Sequence, residues 1–162
     1  GLFQRPEEYP SQSMVTVSTH DLPTLAGWWA GRDIQWRQKL ELYPNEEMKE
    51  WEANGRLTDR QVLLDALYDA QVLNQAVDTE HRPAPLSLLQ ATQRFLARTS
   101  GQMQMIPLED ALGMEEQVNI PGTIDEHPNW KQRISQPVDE YFNSDVMKAI
   151  IDVMHQERPA NI

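Results

Sequence analysis

Val15-Thr16-Val17-Ser18-Thr19-His20-Asp21-Leu22-Pro23-Thr24-Leu25-Ala26-Gly27-Trp28-Trp29 is the stretch from which the fold is read. Its β-branched start favours a strand over residues 14–18. A His-Asp pair ends that strand and Pro23 punctuates a turn. Small and aromatic residues then open a helix over 24–30, which Gly31 interrupts. In strand-loop-helix units, polar residues just past the strand's C-terminal end stand where barrels and open α/β sheets build their sites. Asp21 and His20 are therefore the first candidates for chemistry.

Before this stretch, residues 1–13 read as an irregular arm carrying Pro6 and Pro10. After it the chain is densely charged: Asp33 suits the cap of a short helix, Pro44 its end, and Asn54-Gly55 the end of a second helix. Thr58-Asp59-Arg60-Gln61 has the form of a capping box, and Leu63, Leu67, Ala70, Leu73 and Val77 recur at helical spacing behind it. Pro85 opens a further helix with Leu88, Leu89, Phe95 and Leu96, closing near Ser100-Gly101. Gln102 to Ile106 alternates polar and apolar residues as a second strand does. A short helical turn over 108–113, a loop over 118–133 and helical signals at 137–142 and 144–155 complete the chain. The last of these carries Val146, Ile150, Ile151 and Met154 on one side.

Composition narrows the functions. The formal net charge is -11, from 25 acidic against 14 basic residues, which disfavours nucleic acid or an anionic membrane as the main partner. There is no cysteine, so disulfides and thiolate chemistry are excluded. No apolar run approaches the roughly 20 residues that span a bilayer, and a soluble, cytoplasmic protein is the expectation. His81, His127 and His155 lack partners at ligand spacing, so no metal site is proposed. The 162 residues suffice for one ordinary core but not for a closed eight-unit barrel, which takes roughly 250.

Residues 18–29, together with Asn119-Ile120-Pro121-Gly122-Thr123 and Pro128-Asn129-Trp130-Lys131-Gln132-Arg133, resemble the amylomaltase, or 4-alpha-glucanotransferase, family of the alpha-amylase clan. The resemblance runs along the whole chain but only to the C-terminal part of that family. It implies an α/β fold in which residues 1–162 are the last two strand-helix units of a (β/α)8 TIM barrel, with a helical insertion over about 32–100. As an isolated fragment the chain is expected to be mostly helical. The implied enzyme transfers alpha-1,4-glucan segments between maltooligosaccharides by a retaining double displacement and needs no cofactor. Its partners would be alpha-glucans and the upstream part of the same barrel. The family's nucleophilic Asp and acid/base Glu match nothing from Gly1 onward, so the chain alone is expected to be inactive. A non-catalytic carbohydrate-binding module and a helical interaction domain are the alternatives.

By the same resemblance, Asp21 is the carboxylate that binds the ring hydroxyls of the donor sugar and stabilises the transition state, and His20 hydrogen-bonds the same sugar. An ionised carboxylate can accept two hydroxyl protons at once, and those bonds strengthen as the ring becomes cationic. Asp21 as a helix cap and His20 as a structural histidine are the competing readings. Asn119, Pro121 and Gly122 match a cleft-lining loop, although Pro-Gly is also a common turn. Trp130 could stack on a sugar or simply pack, and Arg133 is expected to pair with carboxylates inside the fold. The adjacent acids Glu46-Glu47, Glu109-Asp110, Glu115-Glu116 and Asp125-Glu126 are set aside, because neighbouring side chains diverge and do not make a facing acid/base pair.

Overall fold

A computed structural model of the chain describes residues 3–134 and 136–159; positions 1 and 2 of the expected arm lie outside the described residues. A 3-10 turn at Pro6–Glu8 leads into strand β1 (Met14–Val15). Helices α1 (Leu25–Ala30), α2 (Arg32–Lys39), α3 (Glu46–Asp69) and α4 (Leu86–Ala97) follow, then strand β2 (Met103–Gln104). The short helix α5 (Leu108–Ala111), a 3-10 turn at Val138–Asn143 and helix α6 (Asp145–Glu157) close the order. The two strands pair in parallel, Met14 opposite Met103 and Val15 opposite Gln104, with α1 to α4 forming the crossover.

Both strands are shorter than expected. Past Val15 the chain turns back on itself: the Thr16 hydroxyl donates to the Ser18 carbonyl at 2.9 Å, and Leu22 N–H donates to Thr19 O at 3.0 Å. The Ser18 carbonyl, which a longer strand would offer to a neighbour, is satisfied locally instead. His20 and Asp21 consequently lie in a loop and not on a strand end. In β2 the alternation holds but the polar side faces inward. The Gln104 amide donates to Oε1 of buried Gln93 on α4 at 2.8 Å, which supplies the partner a buried amide requires. Met103 and Met105 stay on the open face beside Met14, all three at least half exposed.

The core lies between β1 and helices α1, α3 and α4, where Val15, Trp29, Leu64, Leu67, Leu88 and Phe95 are buried together. The sequence reads as two helices over 46–77, whereas the structure has one, Glu46–Asp69, capped by Asn45, whose side chain accepts from Met48 N–H at 2.8 Å; Leu73 and Val77, expected on its face, lie past its end. Gly55 costs a helix interior about 1 kcal/mol against Ala, yet Glu52 in the turn before it holds Arg37 and Tyr43, and the turns after it are anchored inward, so the helix is carried through. Arg56 clasps Asp33, Nη1 to Oδ1 at 2.9 Å and Nη2 to Oδ2 at 2.7 Å, with both side chains buried. One turn on, Arg60 is fully buried, donates to the Trp29 and Thr79 carbonyls and lies 5.3 Å from the Trp29 ring centre. Thr58 is thus mid-helix and caps nothing.

Asp33 is held by Arg56 inside the first turn of α2, so the cap position falls to Gly31, whose φ of 76° needs no side chain. Helix α2 ends at Lys39, before Pro44. Helix α4 ends at Ala97, earlier than Ser100-Gly101, because Arg158 reaches across from the end of α6 to the carbonyls of Ala97 at 2.8 Å and Thr99 at 3.1 Å. On α6 the deepest residue is Val153, which falls between the expected Ile150 and Met154. No helix among the described residues is long and apolar enough to cross a membrane.

Candidate functional site

The loop carrying His20 and Asp21 is fixed by what starts α1. Thr24 caps that helix, accepting Gly27 N–H at 3.0 Å, while its hydroxyl donates to the Met114 carbonyl at 2.5 Å. Asp110, on α5, accepts Leu25 N–H at 2.7 Å on one carboxylate oxygen and the Ser18 hydroxyl on the other. Burial pushes the Asp110 carboxyl above the ordinary carboxylate range, and the bonds from Ser18 and Leu25 oppose that shift. Gly27 allows α1 to approach the loop after α5, since a Cβ there would strike the Glu115 carbonyl oxygen. The capping duty that Asp21 could have taken is therefore filled by Thr24 and Asp110, and the Asp21 side chain stays 50% exposed.

Around Asp21 the loop over 117–132 closes in. Asn119 Nδ2 donates to Asp21 Oδ1 at 2.7 Å, and Asn119 N–H donates to the His20 carbonyl at 3.2 Å. Gln117, itself buried, directs Nε2 to the Asp21 carbonyl at 3.0 Å and to that of Asn119 at 2.7 Å, while Gln132 donates to the Gln117 carbonyl at 2.8 Å. His20 Nε2 stands 3.4 Å from Asp21 Oδ2. Trp130 has a left-handed backbone, φ 58°, uncommon for a bulky residue. Its N–H donates to the Val118 carbonyl at 3.2 Å; the residue is 64% exposed, and its ring centre lies 5.1 Å from that of His20.

Behind this edge, the buried Asn129 side chain accepts from Ile120 N–H at 3.0 Å, contacts His127 Nδ1 at 2.8 Å and donates to Thr123 Oγ1 at 2.7 Å. His127 is fully buried, with Trp36 packed edge-on to it. Thr123 N–H returns to the Ile120 carbonyl at 3.2 Å, so Pro121 and Gly122, with φ 86° at the glycine, form an exposed turn with open space around it.

His20, Asp21, Asn119 and Trp130 are thus brought together, while Pro121 and Gly122 occupy a turn of the same loop. Arg133 is exposed and makes no ion pair among the described residues, which corrects the pairing expected for it; Glu116, Glu126 and Asp125, which precede it in the chain, are engaged elsewhere. Glu116 binds Arg32 and the Trp36 indole, Glu126 takes the N–H groups of Ile124 and Asp125, and Asp125 meets Lys131. No group of three or more His, Cys, Asp or Glu side chains that could share a metal ion occurs among the described residues. Gln117 and Asp110 carry much of the arrangement without any sequence pattern announcing them, and Asn129 stands in the 128–133 block without its bracing role being legible there.

A family model described as 4-alpha-glucanotransferase matches residues 2–139. The chain is 28% identical over 160 residues to a 4-alpha-glucanotransferase of Haemophilus influenzae, an alignment covering 98% of this chain and 23% of that protein. It is 32% identical over 131 residues to the 4-alpha-glucanotransferase of Mycobacterium tuberculosis, covering 81% of this chain and 17% of the relative. Its fold matches part of the crystal structure of amylomaltase from Corynebacterium glutamicum, with a TM-score of 0.79 and 24% identity over 93% of this chain and 23% of that one. The chain therefore spans about a quarter or less of the length of these relatives.

Proposed function

The chain belongs to the 4-alpha-glucanotransferase family, and from that premise we propose that it supplies the donor-sugar contacts of an enzyme transferring alpha-1,4-glucan segments between maltooligosaccharides. The observation that carries this reading is the meeting of Asp21 and Asn119, 98 residues apart in sequence, on an exposed edge that His20 and Trp130 also share. Asp21 has no capping work to do there, and exposure of a held carboxylate suits a ligand better than it suits a core.

A retaining transfer needs a carboxylate nucleophile and an acid that later acts as base. Neither is assigned to this chain, so by itself it is inactive in this reading. Asp21 Oδ1 is steadied by Asn119, leaving Oδ2 and the remaining lone pairs for sugar hydroxyls. As the donor ring becomes cationic, bonds from its hydroxyls to the carboxylate strengthen, which lowers the barrier more than it tightens ground-state binding. His20 addresses the same sugar, Trp130 offers a ring face for stacking, and the Pro121-Gly122 turn lines the cleft.

In the same reading β1 and β2 are the seventh and eighth strands of a (β/α)8 barrel, residues 1–162 are its C-terminal portion, and residues from about 32 to 100 are a helical insertion. The burial of the two strands supports this. Val15 and Gln104 face the helices, while Met14, Met103 and Met105 form an apolar face such as a barrel interior presents. A groove of about 870 Å³ beside β1, lined by Tyr9, Val15, Leu22, Trp28 and Leu63 among others, adds apolar surface for other barrel elements to cover. The test is Asp21→Asn in the protein at its natural length. Disproportionation of maltotriose should fall by about 100-fold to 1000-fold with circular dichroism unchanged; turnover close to that of the unaltered protein would remove Asp21 from the reaction.

A further inference from the structure

We propose that Asp110 is a positioning residue for the transfer, its buried carboxylate fastening both ends of the loop that carries His20 and Asp21. This rests on the reading of Asp21 as a sugar-binding carboxylate. Ser18, Thr24 and Asp110 are each no more than 5% exposed, so the anchor points are inside the protein while the loop between them is at its surface. One Asp110 oxygen takes the Ser18 hydroxyl, just before His20, and the other takes Leu25 N–H at 2.7 Å, just after the turn. If Asp110 served α1 alone, only the second bond would be needed, and Thr24 already caps that helix. The bond to Ser18 does nothing for α1; it closes the loop into a clasp whose two ends share one carboxylate.

Gln117 and Asn119 hold the middle of the loop, and with its ends unfastened that middle would shift with them and carry Asp21 away from the sugar. A misplacement of about 1 Å costs about 100-fold in rate when the displaced group acts at the transition state. Burial works against a charged Asp110 and the bonds from Ser18 and Leu25 offset part of that cost, so each donor helps to hold the carboxylate in place. Losing either donor therefore loosens the whole clasp.

The experiment compares Asp110→Ala, Asp110→Asn and Ser18→Ala in the protein at its natural length, measuring maltotriose disproportionation and amide hydrogen exchange together. Asp110→Ala should lower kcat by about 100-fold with KM little changed, and should speed exchange over residues 19–24 while α3 and α4 exchange as before. Asparagine can accept Leu25 N–H through its carbonyl and donate to a reoriented Ser18 hydroxyl, so Asp110→Asn should recover to within about 10-fold of the unaltered rate. Ser18→Ala should fall between the two. Unchanged exchange over 19–24 in both Asp110→Ala and Ser18→Ala, or kcat unchanged, overturns the proposal. So does faster exchange that spreads equally through α3 and α4, which would make Asp110 a general structural residue. Unaltered protein that leaves maltotriose untouched refutes the functional reading instead, and the loop's exchange pattern still decides whether Asp110 clasps it.

Discussion

Removing the Asn119 side chain should weaken the transfer chiefly through Asp21. The Asn119 Nδ2 to Asp21 Oδ1 bond, at 2.7 Å, is a hydrogen bond to a charged acceptor, of a class that contributes about 1.5–3 kcal/mol net. Half exposure of the Asp21 side chain places it at the weak end of that range, since water competes for the same oxygen. A loss of about 1.5 kcal/mol is about 12-fold in kcat/KM at 1.36 kcal/mol per tenfold. The backbone bond from Asn119 N–H to the His20 carbonyl survives Asn119→Ala, so the loop should keep its course. The assay is glucose release from maltotriose, in the protein at its natural length, by the single variants Asn119→Ala and Asp21→Ala and by the double variant, arranged as a mutant cycle. If Asn119 works through Asp21, its removal costs far less once Asp21 is gone, and the coupling is about 1 kcal/mol. Losses that simply multiply in the double variant, or an Asn119→Ala enzyme with undiminished kcat/KM, would refute the reasoning.

Two predictions concern stability. Asp33→Ala strands the buried Arg56 guanidinium and should cost about 3–5 kcal/mol in denaturant unfolding, unless Glu52, 4.0 Å away, moves in to replace it; a loss no larger than an exposed pair such as Lys131–Asp125 gives, about 1 kcal/mol or less, would show the replacement. Glu157 is held below the usual carboxylate range chiefly by its hydrogen bond from Arg98, with Arg94 adding to the effect. Its folded pKa is thus lower than its unfolded one. The stabilisation is present above the unfolded value, about 4.3, and is lost as pH falls through the folded value. Unfolding midpoints followed down from about pH 6 should therefore drop less steeply in Glu157→Gln, and parallel curves would contradict the shift.

What could be read from the sequence was whatever repeats along one element or lies within a few residues. The Thr24 to Gly31 helix, the Ser144 start of α6 and the apolar positions Leu63, Leu67, Leu88 and Phe95 are local or periodic features, and the structure has them where the pattern put them. At Asn54-Gly55 local propensity favours a helix end, while the contacts that keep the helix whole come from Asp33 and Trp29, in other helices. The strand expected over 14–18 stops at Val15 for a related reason. β-Branched residues fit a strand, but a strand also needs a neighbour, and β2 offers pairing only as far as the Val15 carbonyl, which Met105 N–H takes at 2.9 Å.

The site divides along the same line. His20, Asp21, Asn119 and Trp130 stand in short blocks of recognisable composition, whereas the residues that hold them are single amides and acids whose partners lie far away in sequence. Gln117 binds the carbonyl of Asp21 96 residues away, and Asp110 binds Ser18 92 residues away. Such a bond asks for one residue of the right type at one place and leaves no period. Asp110 is harder still to read, because in sequence it is one half of the adjacent pair Glu109-Asp110. That neighbours diverge is correct, and it is why Glu109 and Asp110 do not form a facing acid/base dyad. The same divergence is what turns Asp110 into the interior, against Ser18 and Leu25. Setting aside a pair therefore says nothing about either member singly, and a lone acid beside a dismissed neighbour has to be judged by what its own side of the helix meets.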